Sequence, residues 1–334
     1  MRRVGALIDR VVERDNLRLA WLKAIRGKRC ERYVQRFGAR LEDELARIAS
    51  DLATGAYCWG AFRTFTIFDP KERDIQVAPI RDRVASHAIM NVCEPTFDRV
   101  QFHASCACRK GRGQTAALDL ALRHTRARRF FLKEDVRKYF DSIDHAVLKE
   151  SLARVFKDRL VLKAFNDAIE RYETTPGRGV PIGSLTSQFF ANHYLNALDR
   201  FVYEELKINA YVRYMDDFVL WSDSKEELSR ASRRLAEFAE ERLRLQLKEP
   251  QLNRSRFGFP FLGLRVSSSG LSTTRRGRKR FRRLIRRAEE KLSTCEWDEA
   301  DAARHVESAL EFMTRARSSA FLRRTTEKLL LNDN

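Results

Sequence analysis

The stretch YVRYMDDFVLW, residues 211–221, most restricts what this chain can fold into. Tyr, Val and Tyr precede Asp216 and Asp217, and Phe, Val, Leu and Trp follow them. Aromatic and β-branched residues suit a pleated, half-buried surface, so the two runs read as strands and the acidic pair as the tip of their hairpin. Two adjacent like charges repel, and apolar surroundings add a desolvation cost. A solvated turn would relieve both, since Asp is a common turn residue. So would a metal site, where divalent cations offset the repulsion. The hairpin alone leaves both open.

A second acidic site lies upstream in FFLKEDVRKYFDSIDH, where Asp135 ends an apolar strand and Phe140 and Asp141 follow. Alone, Asp135 reads as a strand-end turn residue. Together with Asp216 and Asp217 it makes the inventory that two-metal phosphoryl transfer needs. There, two ions roughly 4 Å apart serve the attacking 3′ oxygen and the leaving pyrophosphate. Mg²⁺ takes carboxylate oxygens and fills its remaining positions with water and substrate phosphates, so few protein ligands suffice. The lack of His and Cys at these positions fits Mg²⁺ better than zinc.

Charge points to the partner. Lys and Arg outnumber Asp and Glu by 65 to 46, a net +19, which implies a polyanion: nucleic acid or a membrane surface. A 10% aromatic content and the absence of lipidation signals favour nucleic acid. At 334 residues and 43% apolar composition the chain can bury a large core in two or three compact units. It has no apolar run long enough to span a membrane, and MRRVGALIDRVVERD lacks the apolar centre of a signal peptide, so a cytoplasmic protein is expected. Its six cysteines are then expected to be reduced. His103-x-x-Cys106-x-Cys108 invites a zinc reading but has no second pair at zinc-finger spacing, and is read as a loop.

Residues 1 to about 60 look helical, with Leu41, Leu45, Ile48 and Leu52 spaced as one buried face. Residues 61–80 read as a β-hairpin interrupted at Asp69-Pro70, with a helix near 82–93 after it. RKGRGQTAALDLALRH runs from a basic, Gly-containing loop into a helix and is no P-loop. Asp144 is a predicted N-cap for a helix carrying Val147, Leu148, Leu152 and Val155. Another helix is expected after TSQ, carrying Phe190, Tyr194, Ala197, Leu198 and Phe201. Ser224 and Glu227 predict a capping box for a helix to about 244, and FGFPFLGLRV reads as strand, turn and strand. From Arg275 to Lys291, 10 of 17 residues are Lys or Arg, while Phe281, Leu284, Ile285, Ala288 and Leu292 form an apolar stripe. A solvated charged face is the ordinary reading of such a run. One apolar and one nearly all-basic face favour a helix that meets phosphates.

In these motifs the chain resembles the reverse transcriptases. Tyr214-Met215-Asp216-Asp217 resembles their YxDD catalytic hairpin, and Asp135 with Phe140 resembles the first palm motif, whose aromatic residue is a steric gate against ribonucleotides. DPKERDIQVAPIRDRV resembles the fingers motif, LQLKEP the motif with a basic residue near the pyrophosphate, and FGFPFLG the primer grip. The resemblance implies an α+β right-hand fold. Its parts would be an N-terminal helical extension (1–60), fingers (61–134), a palm (135–265) with a fingers-contributing insertion around 145–185, and a basic helical thumb (266–334). It implies that Asp135, Asp216, Asp217 and Lys248 are catalytic, and that two Mg²⁺ ions are held by Asp135, Val136, Asp216 and Asp217. Nucleotide would meet Lys71, Arg73, Phe140, Ile182, Gly183, Gln188, Tyr214 and Met215. Template RNA and the primer–template duplex would meet Arg109, Lys110, Arg112, Arg278, Arg282, Arg283, Arg286 and Arg287.

One motif narrows the family. Most reverse transcriptases carry QGxxxSP, whereas this chain has Ile182-Gly183-Ser184-Leu185-Thr186-Ser187-Gln188. That IGxxxSQ form, with RDNLRLAWLKAIRGKR near the N-terminus, resembles the reverse transcriptases of diversity-generating retroelements. The resemblance implies error-prone cDNA synthesis from a template-repeat RNA, with errors concentrated at adenines and a small, basic, helical accessory protein as partner. The alternatives are a group II intron-like, retron or defence-type reverse transcriptase, or a catalytically inactive RNA-binding relative. Intact Asp135, Asp216 and Asp217 weigh against the last, and Phe140 weighs against an RNA replicase.

Overall fold

The computed structural model describes residues 3–68 and 72–294, and beyond them only 296–299, 302–303, 306–307, 314 and 316. Lys71 lies outside the described residues. The fold is α+β. The expected hairpin of residues 61–80 is β1 (Arg63–Phe68) paired antiparallel with β2 (Glu72–Val77). The central sheet holds β3 (Phe130–Asp135), β4 (Tyr211–Tyr214), β5 (Asp217–Ser222) and β6 (Gln251–Arg254) in the order β4-β5-β3-β6, all pairs antiparallel. A three-stranded meander follows: β7 (Phe259–Phe261), β8 (Leu264–Ser267) and β9 (Gly270–Thr273). Its first turn is Leu262-Gly263, both at positive φ, which is the left-handed pair a tight two-residue hairpin requires.

The central sheet is covered on both faces, which explains its nearly unbroken apolar strands. Leu132, Tyr211, Phe218 and Leu220 face the larger core, which the Lys225–Leu243 helix joins through Leu228, Leu235 and Leu243. Phe131, Val212, Val219 and Trp221 face the smaller core with Phe259, Phe261 and Leu264 of the meander and Leu118 of the Gly113–Ala127 helix. Phe97, Phe156, Phe165 and Phe190 meet at ring-centroid distances between 5.1 and 6.5 Å, each ring's burial contributing about 1.5–3 kcal/mol. The N-terminal helices share this core through Leu17, Trp21, Leu45 and Ile48, so they pack on the body.

Several helices differ in extent from their sequence reading. The helix expected near 82–93 runs from Ile80 to Val100 through Pro95. The helix expected after TSQ starts at Leu185, ahead of it, and pauses at Leu195. It resumes as Asn196–Arg200 and ends in a wider π-type turn, Phe201–Glu205. Asp144 caps its helix by accepting from the Val147 amide at 3.1 Å. Half of the expected capping box forms: Ser224 Oγ accepts from the Glu227 amide at 3.1 Å, but Ser222, not Glu227, receives the Ser224 amide. No helix of the described residues is long and apolar enough to cross a membrane.

Candidate active site

The acidic hairpin turns on two residues, Met215 and Asp216, because Tyr214 pairs with Asp217 across it. Asp216 is therefore at the tip, while Asp217 begins β5, one place further into the sheet than expected. There Asp217 stands directly opposite Asp135 at the end of β3. Cross-strand neighbours share a face, with Cα atoms about 4.5–5.5 Å apart. Met215 has φ +56, at the turn position that normally favours Gly, a strain of about 1–2 kcal/mol. Strain of this kind gathers where the surrounding structure imposes it for a function.

The carboxylates are uneven. Asp216 is pushed up to about 6, first by burial and then by the Asp135 charge, with Asp217 adding and Lys248 opposing. Asp217 is raised by burial and pulled back by Lys133, whose ammonium it binds. Lys248 Nζ donates to Asp135 Oδ2 at 2.5 Å, and its backbone amide donates to the Asp135 carbonyl at 2.8 Å. Asp135 Oδ1 is buried and meets no hydrogen-bond donor. The Val136 side chain lies in the core, and its backbone bridges to Leu247 through bonds of the flanking residues. Among the described residues no three His, Cys, Asp or Glu side chains form a ready cage for a metal. Lys133 and Lys248 each hold one of the aspartates. The orphaned Asp135 oxygen and the raised Asp216 carboxyl both fit a divalent cation, which would relieve each.

Beneath the hairpin lies a group that sequence reading missed. Arg213 is wholly buried and paired with Asp199, Nε to Oδ1 at 2.6 Å and Nη2 to Oδ2 at 2.5 Å. Its Nη1 donates to Asn192 Oδ1 at 2.8 Å and to the Met215 carbonyl at 3.0 Å. A cation inside an apolar strand was the visible signal; its partners, 14 and 21 residues earlier, were not.

The residues expected on the nucleotide side come from β2, the short helical segment after β3, the Ile182-Gly183 turn with the helix after it, and the β4–β5 hairpin. Arg73 is exposed on β2, and the same strand docks on the Ile182-Gly183 turn through the Gln76 amide, 2.7 Å from the Ile182 carbonyl. Gly183 has φ +107, and a Cβ there would lie 2.8 Å from the Gln76 carbonyl oxygen, so the close approach needs Gly. Phe140 is half-buried, its carbonyl accepting from the Val180 amide at 2.8 Å. Tyr214 and Met215 are half-buried at the hairpin, and Gln188 is exposed, its Oε1 3.8 Å from Cys108 Sγ.

The basic residues divide. Arg109 turns inward, its side chain one-tenth exposed, binding Asp98 at 2.5 Å and the carbonyls of Phe102 and Ser105. It therefore braces its own loop, supplying donors to the loop's carbonyls. Lys110 and Arg112 are exposed on that loop. The tail helix spans Arg275–Ser293, with Phe281, Ile285 and Ala288 buried and Arg278, Arg282, Arg283, Arg286 and Arg287 apart from that buried stripe. Changing Arg282, Arg283, Arg286 and Arg287 to Gln is expected to weaken binding of a primer–template duplex. It should also flatten the salt dependence by roughly 0.7–0.9 per lost phosphate contact. Titrations across a salt series check this, and an unchanged slope would return the helix to a solvated face.

Comparison with known proteins places the chain in a family and a fold. Residues 69–266 match the family described as reverse transcriptase (RNA-dependent DNA polymerase). The chain is 24% identical over 278 residues to Protein YkfC of Escherichia coli (strain K12), covering 68% of this chain and 72% of that protein. It is 28% identical over 171 residues to the Group II intron-encoded protein LtrA of Lactococcus lactis subsp. cremoris, covering 48% and 28%. To the uncharacterized 91 kDa protein in cob intron of Schizosaccharomyces pombe it is 28% identical over 142 residues, covering 41% and 18%. The chain thus matches less than a third of the length of the last two. Among solved structures, telomerase from Candida albicans in complex with a TWJ fragment of telomeric RNA superposes with a TM-score of 0.50 at 12% identity, over 86% of this chain and 58% of that one. The fold is that of the right-hand polymerases.

Proposed function

The chain belongs to the reverse transcriptase (RNA-dependent DNA polymerase) family, and from that premise we propose that it extends a DNA primer along an RNA template using deoxynucleoside triphosphates. The observation that carries this reading is the meeting of Asp135 with Asp217 across β3 and β5, with Asp216 in the strained turn beside them. Asp135 and Asp216 are the side chains that would hold Mg²⁺, Asp217 sharing the charge while Lys133 neutralises it. Bound there, the cations supply charge stabilisation to the attacking oxygen and the phosphates. Lys248, whose ammonium lies 2.5 Å from Asp135, would give a proton to the leaving pyrophosphate. Arg73 binds the triphosphate, and the Ile182-Gly183 turn seats the nucleotide against the strand that carries Arg73. In this reading the fingers span 61–134, the palm 135–265 and the thumb 266–334, although β3 runs across the first of those boundaries.

The finer reading is error-prone cDNA synthesis for a diversity-generating retroelement, aided by a small basic accessory protein. Its support is Ile182 where most of the family has Gln. A Gln there would make polar contacts that tighten on a well-shaped pair, whereas apolar contacts separate similar shapes by only about 1–3 kcal/mol. Adenine templates would suffer most because they pair through two hydrogen bonds. A group II intron-like enzyme is the second reading, favoured by the similarity to LtrA. Ile182→Gln is expected to lower misincorporation opposite template adenine by about tenfold, and less opposite other bases. Sequencing cDNA made by both proteins on one RNA template decides it. An even error spectrum in the unmodified protein would favour the intron-like reading.

A further inference from the structure

We infer that Arg213 is a positioning residue for the catalytic hairpin: its buried guanidinium, fixed by Asp199 and Asn192, holds the Met215 carbonyl and keeps the turn in the strained form that sets Asp216 beside Asp135. This rests on the reading of Asp216 as a reactive carboxylate.

All five N–H groups of a guanidinium lie in one rigid plane, so fixing one edge fixes the other. Here Nε and Nη2 face Asp199, at 2.6 and 2.5 Å, and Nη2 also reaches the Asn192 carbonyl at 3.2 Å. The remaining Nη1 divides between Asn192 Oδ1 at 2.8 Å and the Met215 carbonyl at 3.0 Å. Neither anchor is a loop residue. Asp199 lies in the Asn196–Arg200 helix and also accepts from the Tyr211 hydroxyl at 2.6 Å. Asn192 lies in the Leu185–Tyr194 helix and is itself held, accepting from Ser105 Oγ at 3.1 Å and donating to the Ala107 carbonyl at 2.9 Å. The backbone of Arg213 is pinned from the other side by the Ala104 carbonyl and the Cys106 amide.

A turn with a non-glycine residue at φ +56 relaxes unless something opposes it. The hydrogen bond to the Met215 carbonyl is the contact that opposes it from below. An apolar residue could fill the same volume without the cost of burying an ion pair, so stability alone does not call for Arg here. What an apolar residue could not do is bind that carbonyl. The same guanidinium, through Asn192, ties the hairpin to the helix that follows the Ile182-Gly183 turn, so the acidic tip and the nucleotide seat keep one spacing.

Removing Arg213 alone would strand the Asp199 charge, so the test uses the pair Arg213→Met with Asp199→Asn, and separately Arg213→Lys. Lysine keeps the charge but has no fork to serve Asp199 and Met215 together. Three quantities are measured: thermal melting, amide exchange across 211–218, and kcat with KM for nucleotide on a fixed primer–template. The double variant is expected to melt near the unmodified protein and to exchange faster at Met215 to Phe218 while β3 is unaffected. Its kcat should fall about a hundredfold, the loss typical of a reactive group misplaced by an ångström, with KM and RNA affinity nearly unchanged. Arg213→Lys should fall between. Unchanged exchange at the turn with unchanged kcat would overturn the inference. So would a drop in melting accompanied by equal losses of RNA affinity and kcat, which would make Arg213 a structural residue only. If the unmodified protein extends no primer, the polymerase reading fails, while the exchange comparison still decides whether Arg213 holds the turn.

Discussion

Asp216→Ala is expected to reduce primer extension by at least about a thousandfold while RNA binding stays near that of the unmodified protein. One preorganised charge at a reaction centre commonly accounts for a hundred- to thousandfold in rate. Asp216 would do this together with Asp135, whose buried Oδ1 meets no donor although Lys248 holds its Oδ2, while Asp217 is matched by Lys133. Template affinity has a different source. It comes chiefly from Lys and Arg on phosphates, and removing one carboxylate from a chain of net charge +19 does not weaken it. Asp135→Ala should behave alike, and also removes the carboxylate that accepts from Lys248 at 2.5 Å. Asp217→Asn should cost less, because Lys133 holds it and, unlike Asp135, it leaves no buried oxygen without a donor. Single-turnover extension at saturating nucleotide, beside filter binding of the same RNA, separates the two quantities. Equal loss of both would make these aspartates structural.

The hairpin was legible because both flanking strands are apolar on both faces, and only a sheet covered on each side uses such strands. Its acidic residues stood out for the same reason, as charges with no place in that pattern. Their exact seats were not legible. A turn of Met215-Asp216 or of Asp216-Asp217 satisfies the same sequence, and the choice depends on the register with β3, where Asp135 meets Asp217. Ion pairs were hidden for a related reason. Lys133 reads as an interruption of a strand, and only cross-strand pairing reveals its diagonal reach to Asp217. Arg213 and Asp199 are joined by the path of the chain through a helix and a π-type turn, which no spacing rule supplies. Arg109 was read by its neighbours Lys110 and Arg112, yet it faces the other way, because loop carbonyls at Phe102 and Ser105 need a donor. Charge composition pointed to the class of partner; which cations meet it is decided by folding.

Phe140→Ala is expected to raise the ratio of ribonucleotide to deoxynucleotide incorporation by about a hundredfold, through removal of a clash and not through a new attraction. The ring can act as a gate only if it cannot step aside. Its backbone is held by the Val180 amide on its carbonyl at 2.8 Å, and the preceding Tyr139 is buried with its hydroxyl bound to the Ala191 carbonyl. Tyr139 and Phe140 also meet edge to face, with centroids 5.8 Å apart. The ring is thus anchored on one side and half-exposed on the other, where a sugar would pass. A fully buried Phe→Ala costs about 3–5 kcal/mol, and a half-exposed one costs less, so the variant should remain folded. Single-nucleotide incorporation with competing ribo- and deoxynucleotides gives the ratio of kcat/KM values directly. The deoxynucleotide rate should change little, because the ring makes no bond that the transition state needs. A ratio equal to that of the unmodified protein would move the gate to another residue of the seat, and Ile182 and Tyr214 would be the next to test.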